Sequence, residues 1–298
     1  MSVVPAPGPH GGDSARVARA LGVPASDVLD LSASLNPVAP DPVPLVARHL
    51  EALGRYPDST AATSCLAAVM GVAPERVLLT NGGAEAISMV SAELGGRVVE
   101  PEFSLLPRGT GPVWRSDPHN PTGLLAGPHD RADVWDEAFY ALSTGRWTAG
   151  RDAVVVGSLT KLFACPGLRL GYVLAPPGGA GAALVVRLRD RQPEWSVSGL
   201  AAAALPDMLH DADLPGWASR VRELRQALTQ LLDEFGLSPL ASDANFVLCA
   251  TAPGLRERLA PQRVLVRDCT SFGLEGYARV AVPDERGLAK LAVALGSA

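Results

Sequence analysis

The stretch Ser158-Leu159-Thr160-Lys161-Leu162-Phe163-Ala164-Cys165-Pro166-Gly167-Leu168-Arg169-Leu170-Gly171-Tyr172 decides how the rest of this 298-residue chain is read. It follows Ala153-Val154-Val155-Val156-Gly157, a run with the composition of a strand buried on both faces. Lys161 therefore stands on the loop leaving a sheet edge, where open α/β sheets bind ligands. Its near neighbours are apolar or hydroxylic, which disfavours the ammonium form and lowers the pKa. An imine-forming lysine needs that environment. Ser158 and Arg169 flank it as phosphate ligands, one through a hydroxyl and one through a charged fork. The competing reading is a lysine on an exposed turn.

Composition adds weight to Lys161. Of 26 basic residues only Lys161 and Lys290 are lysines, a skew explained by coding bias. Arginine replaces lysine as a solvated charge, but it does not lose its proton or form an imine at working pH. The net charge of −5, without basic runs, argues against nucleic acid as the main partner. At 47% hydrophobic and 19% charged the chain can bury a large core. No apolar run approaches the roughly 18–20 residues that span a bilayer. The opening MSVVPAPGPHGG lacks the charged and apolar regions of a signal peptide. Cys65, Cys165, Cys249 and Cys269 are scattered and read as reduced core residues of a cytoplasmic protein. The five histidines show no metal-ligand spacing, so no metal is expected.

Outward from Lys161, the pattern is α/β. Short buried strands are expected at 76–79, 97–100, 133–136, 153–157 and 170–175, with helices at 13–21, 45–53, from 59 or 60 to 71, and 84–94. Strands alternating with helices, several uniformly apolar, indicate a sheet covered on both faces. After Pro215 a long amphipathic helix, 217–235, leads into strands near 245–250, 264–267 and 278–282 and a final helix from Asp284. The chain divides on this reading into an N-terminal arm with its extended segment, 1–44, a large domain, 45–215, and a small α+β domain, 216–298.

Three further segments carry chemistry. Asn81-Gly82-Gly83-Ala84-Glu85 joins a strand to a helix, where glycines let a phosphate approach free amides; a plain tight turn explains it equally well. Asp136 ends an expected strand, and a buried carboxylate there needs a cation such as a protonated pyridine nitrogen. Asp117-Pro118-His119-Asn120-Pro121-Thr122-Gly123 is a rigid turn presenting an amide, ordinary when taken alone.

The order N-P-T-G, D-E-A-F, then S-L-T-K with a trailing G-L-R-L-G-Y resembles the fold type I pyridoxal-phosphate enzymes, across nearly the whole chain. Within them it looks most like the branch containing threonine-phosphate decarboxylase and histidinol-phosphate aminotransferase. The resemblance implies a fold type I transferase with a mostly parallel central sheet, shortened here, plus the small C-terminal domain. It implies that Lys161 bonds the cofactor aldehyde, Asp136 pairs with the ring nitrogen and Asn120 bonds the phenolic oxygen. Gly83, Ala84 and Glu85 amides with Ser158 and Arg169 would hold the cofactor phosphate. Phe103, in Pro101-Glu102-Phe103-Ser104, would stack on the ring. Tyr56 would reach the phosphate from the other subunit of a homodimer.

His10-Gly11-Gly12, Leu31-Ser32-Ala33-Ser34-Leu35-Asn36-Pro37 and Glu194-Trp195-Ser196-Val197-Ser198 resemble segments of the threonine-phosphate decarboxylases. By that likeness Arg279 clamps the substrate carboxylate, Arg267 and His10 lie near its phosphate, and Asn36 belongs to the substrate site. For Arg267 and Arg279 an ordinary structural role stays open. The resemblance implies decarboxylation of L-threonine O-3-phosphate to aminopropanol phosphate in cobalamin assembly. The alternatives are a histidinol-phosphate-type aminotransferase and a non-catalytic descendant that binds a cofactor or partner. Only 25 residues, 95–119, separate Leu94 from the N-P-T-G turn, and 12 separate Gly123 from Asp136. Both spans are too short for the helices and strand that the family carries there. Phe139 stands where many aminotransferases place a tyrosine.

Overall fold

The computed structural model describes residues 4–297, so the first three residues of the opening stretch lie outside it. The strands are β1 (Leu29–Leu31), β2 (Val77–Asn81), β3 (Trp114–Ser116), β4 (Val134–Asp136), β5 (Val154–Ser158), β6 (Leu170–Leu174), β7 (Phe246–Cys249), β8 (Val264–Asp268) and β9 (Ala278–Ala281). They form two sheets, ordered β2-β6-β5-β4-β3 and β1-β8-β9-β7. In the first, β3, β4 and β5 pair in parallel, while β6 runs antiparallel to both β5 and β2. Four of its five strands thus point one way, and β6 alone points back. Every residue of β4 and β6 is buried, apolar throughout β6 and apolar in β4 up to the buried Asp136 at its end.

Helices cover both faces. Leu66 of helix Thr60–Met70 and Leu205 of helix Gly199–His210 pack on one face with Val155 and Leu170. On the other, Ile87 and Val90 of helix Gly82–Leu94 and Leu188 of helix Gly179–Arg191 meet Val156 and Val173. The helix Leu214–Glu234 joins the two cores. Its first turns place Leu214 and Trp217 in the first, and Leu224, Leu228 and Leu232 enter the second, under β7 to β9. The arm also reaches the second sheet, because β1 pairs in parallel with β8, Leu29 opposite Val264.

Local departures from the expected elements have physical causes. The expected helix 45–53 is a short helix, Pro42–Ala47, followed by a separate 3-10 turn, Leu50–Gly54. Asp41 caps the first, accepting the Val43 N–H at 3.0 Å, and Pro42 sits at the first helical position. The expected strand 97–100 does not form. It meets the sheet at one point, Arg97 opposite Val113. The chain then turns at Pro101, which has no N–H to continue a ladder. No helix lies between Leu94 and Tyr140, and the short strand β3 edges the sheet there.

Candidate active site

Strands β4 and β5 of the first sheet, β9 of the second, helix Gly82–Leu94 and the arm converge on a cavity of about 190 Å³. Lys161, on the short helix Leu159–Leu162 directly after β5, donates from Nζ to the Ala33 carbonyl at 2.9 Å. Burial, then the guanidinium charges of Arg279 and Arg169, bring its amine down from 10.5 to about 8. Asp136 ends β4 on the cavity floor, its Oδ1 accepting the Ala138 N–H at 3.0 Å. Burial pushes its carboxyl up from 3.8 to about 7, and the charges of Glu102 and Glu137 add to the rise. Such a carboxylate calls for a cation.

The phosphate end is built by close backbone approach. Gly82 opens helix Gly82–Leu94 at φ +77, and a Cβ there would lie 2.4 Å from Arg169 Nη2. Gly171 of β6 sits against the same turn, so that its Cβ would lie 2.4 Å from the Gly82 carbonyl carbon. Arg169 itself takes φ +57, a left-handed conformation uncommon for a side-chain-bearing residue. Gly83, Ala84, Ser158 and Arg169 all face the cavity. Glu85 does not. Its carboxylate turns back to accept the Asn81 N–H at 2.6 Å and Gln192 Nε2 at 3.1 Å, leaving its main-chain N–H in the helix's first turn. That arrangement of free amides, hydroxyl and guanidinium fits a phosphate monoester.

Asn120 and Arg279 close the opposite wall. Arg279, buried on β9, donates from Nη1 to Asn120 Oδ1, and its Nε is buried without a partner among the described residues. The guanidinium lies over Phe246 at 4.5 Å. Phe103 lines the cavity beside His10, their rings 5.9 Å apart, and His10 meets the Ser104 hydroxyl at 3.2 Å. Burial and the nearby charges of Arg267 and Lys161 hold the His10 imidazole below its ordinary pKa.

Three sequence candidates fall elsewhere. Asn36 is kept from the cavity wall because its amide is committed to main chain. It donates to the Leu162 carbonyl at 2.9 Å and accepts the Val38 N–H at 3.1 Å, bracing the Lys161 helix. Arg267 is likewise turned away, its guanidinium bonding the Gly8 and Pro9 carbonyls at 3.0 and 2.5 Å and the Ser271 hydroxyl at 2.6 Å. It thereby carries the arm that presents His10. Tyr56 is 78% exposed and stacks on Trp195 at 4.5 Å, outside the cavity of its own chain. Two contributors escape sequence reading. The Ala33 carbonyl carries no side-chain signal, and Glu102 is a lone acid between Pro101 and Phe103.

A lysine and an aspartate on adjacent parallel strand ends, above a glycine-lined phosphate cradle, define a pyridoxal-phosphate enzyme of fold type I. The chain belongs to the aminotransferase class I and II family, whose model matches residues 110–295. It is 30% identical to the threonine-phosphate decarboxylase of Salmonella typhimurium, across 95% of each chain. To histidinol-phosphate aminotransferase 1 of Dechloromonas aromatica it is 27% identical, across 95% of this chain and 93% of that one. The histidinol-phosphate aminotransferase of Sinorhizobium meliloti, solved with pyridoxal-5'-phosphate, superposes with a TM-score of 0.79 at 17% identity, across 95% and 93%. Pyridoxal phosphate is this family's cofactor, and the cradle at Gly82 with the uncompensated Asp136 fits it.

Proposed function

We propose that this enzyme decarboxylates a phosphorylated amino acid, L-threonine O-3-phosphate, to aminopropanol phosphate, serving cobalamin assembly. What carries the reading is the convergence of Lys161, Asp136 and Arg279 on one cavity whose outer wall is His10-Gly11 of the arm. The likeness to a threonine-phosphate decarboxylase at 30% identity supports the choice of substrate. Histidinol-phosphate-type aminotransfer is the second reading, favoured by relatives of that name at 27% and 30% identity.

Arg279, through its free Nε–H, would take the substrate carboxylate and so orient the bonds at Cα. His10 would meet the substrate phosphate, and Arg267 would serve it through the arm it anchors. Bound pyridoxal phosphate supplies an electron sink for the pair left at Cα when a bond there breaks. Asp136 would keep the ring nitrogen protonated, Asn120 would bond the phenolic oxygen, and Phe103 would pack on the ring. Lys161, with a pKa of about 8, is mostly protonated near pH 7 and as the ammonium could deliver a proton to Cα in place of the departing carboxylate. The division into arm, large domain and small domain at 1–44, 45–215 and 216–298 belongs to the same proposal, as do a cytoplasmic location and a homodimer with Tyr56 reaching the partner's cofactor phosphate. No helix among the described residues is long and apolar enough to cross a membrane.

Pyridoxal phosphate added to purified protein should give a visible absorption band that Lys161→Ala abolishes. A chain that stays colourless would sink both enzyme readings. Incubation with threonine phosphate then separates them, since release of CO₂ supports decarboxylation and amino transfer to 2-oxoglutarate supports the alternative.

A further inference from the structure

Glu102 is 1% exposed, yet no arginine or lysine side chain bonds its carboxylate. Its Oε1 accepts the Ser116 N–H at 2.9 Å and its Oε2 the Ser116 hydroxyl at 2.5 Å. Ser116 of β3 is the parallel-register partner of Asp136 of β4. Residues paired in this way project from the same face about 4.8 Å apart. Ser116 therefore lies one strand spacing from Asp136, and the Glu102 carboxylate, bonded to Ser116 from the sheet-edge side, lies a hydrogen bond further out.

The surrounding charges do little to neutralise it. His119 Nε2 is 3.8 Å from Glu102 Oε1 but bonds the Pro101 carbonyl at 2.8 Å. Arg108 reaches only the main-chain carbonyl of Glu102, at 3.0 Å, and pairs with Glu100, whose carboxylate accepts the Glu102 N–H. Asp136 faces Glu137 and Lys161 besides Glu102. Glu137 is neutralised by Arg151, which also takes Asp117. Two buried carboxylates linked through Ser116 disfavour double ionisation until a cation arrives.

We propose that Glu102 is a positioning residue that, through Ser116 and across one strand spacing, sets the charge Asp136 presents to the cofactor's ring nitrogen. This rests on the reading of the cavity as a pyridoxal-phosphate site. The proton that Asp136 carries leaves to solvent when the ring cation docks.

The test begins with cofactor-free protein carrying ¹³C at the aspartate carboxyl carbons, with Asp136→Asn identifying the resonance. Glu102→Gln should lower the Asp136 titration midpoint by about one pH unit, and Glu102→Asp, which keeps the charge, should lower it less. Ser116→Ala weakens the hold on the Glu102 anion and should move the midpoint the same way, so it serves if Glu102→Gln does not fold. An unmoved midpoint in the folded variant overturns the proposal. Pyridoxal phosphate bound to Glu102→Gln should show a visible band whose pH profile is displaced from wild type, whereas superimposable profiles would overturn the role toward the cofactor. Failure of the cavity reading looks different. Wild-type protein would then take up no pyridoxal phosphate while its midpoint still responds to Glu102→Gln, and the proposed role would fall with that reading.

Discussion

At the scale of single residues, the site is two misplaced charges waiting for a ligand. Asp136, raised from 3.8 to about 7, keeps a proton in the folded chain that the unfolded chain releases above pH 3.8. Its burial therefore costs stability increasingly as pH rises through that window, and fully above 7. Lys161 has the opposite dependence. Lowered from 10.5 to about 8, it costs stability below pH 8 and less as pH climbs towards 10.5. In cofactor-free protein Asp136→Asn should thus raise the melting temperature at pH 7.5 by at least about 2 °C and flatten its decline between pH 4 and 7. The same variant should bind pyridoxal phosphate more weakly. Parallel melting curves for wild type and variant across pH would refute the assignment. Lys161 and Asp136 were legible in the sequence because one follows and the other ends a strand. Glu102 was not, since a lone acid in a proline-bounded loop has no periodicity to place it beneath Ser116.

At the scale of elements, the cradle depends on backbones meeting. Gly171 is held on both sides, by Thr80 of β2 and Ser158 of β5, so β6 cannot shift to make room. A Cβ there would stand 2.4 and 2.5 Å from Gly82 C and Gly83 N. Gly171→Ala should cost about 2–3 kcal/mol by urea denaturation and weaken pyridoxal-phosphate binding together with it. Gly167→Ala, which meets nothing within 4 Å, is the control and should change neither. The strands β2, β5 and β6 could be read from sequence, whereas β3 could not. Its three residues, Trp114–Ser116, follow a proline- and glycine-rich turn and are decided by pairing with β4 and by the Trp114 indole bonding the Gly95 carbonyl at 3.1 Å. Helices Gly179–Arg191 and Gly199–His210 carry Gly179, Gly181, Gly199 and an internal Pro206, and their packing on the sheet outweighs these helix-weakening residues.

At the scale of the molecule, the cavity takes wall residues from both sheets and from the arm, so its completeness depends on how these parts meet. A homodimer would extend that dependence. If Tyr56 serves the partner's site, neither Lys161→Ala nor Tyr56→Ala alone retains normal activity. Mixed subunits, however, should regain it, because one site in each hybrid then has an intact lysine and a tyrosine from across the interface. Activity measured after co-refolding the two variants checks this, and no recovery would place Tyr56 outside the partner's site.

The sequence by itself determined the α/β class and singled out Lys161, Asp136 and the glycine turn that line one cavity, because strand ends and tight turns are local and leave local signatures. Its two lysines among 26 basic residues marked Lys161 before any fold was known. Tertiary structure alone decided what surrounds them. It turned Asn36 and Arg267 onto main-chain carbonyls, placed the Ala33 carbonyl against Lys161 across 128 residues, and slid Glu102 under Ser116 where the chain is shortest. Those are contacts between distant segments, set by which buried polar groups find partners once the sheets pack, and no spacing along the chain records them.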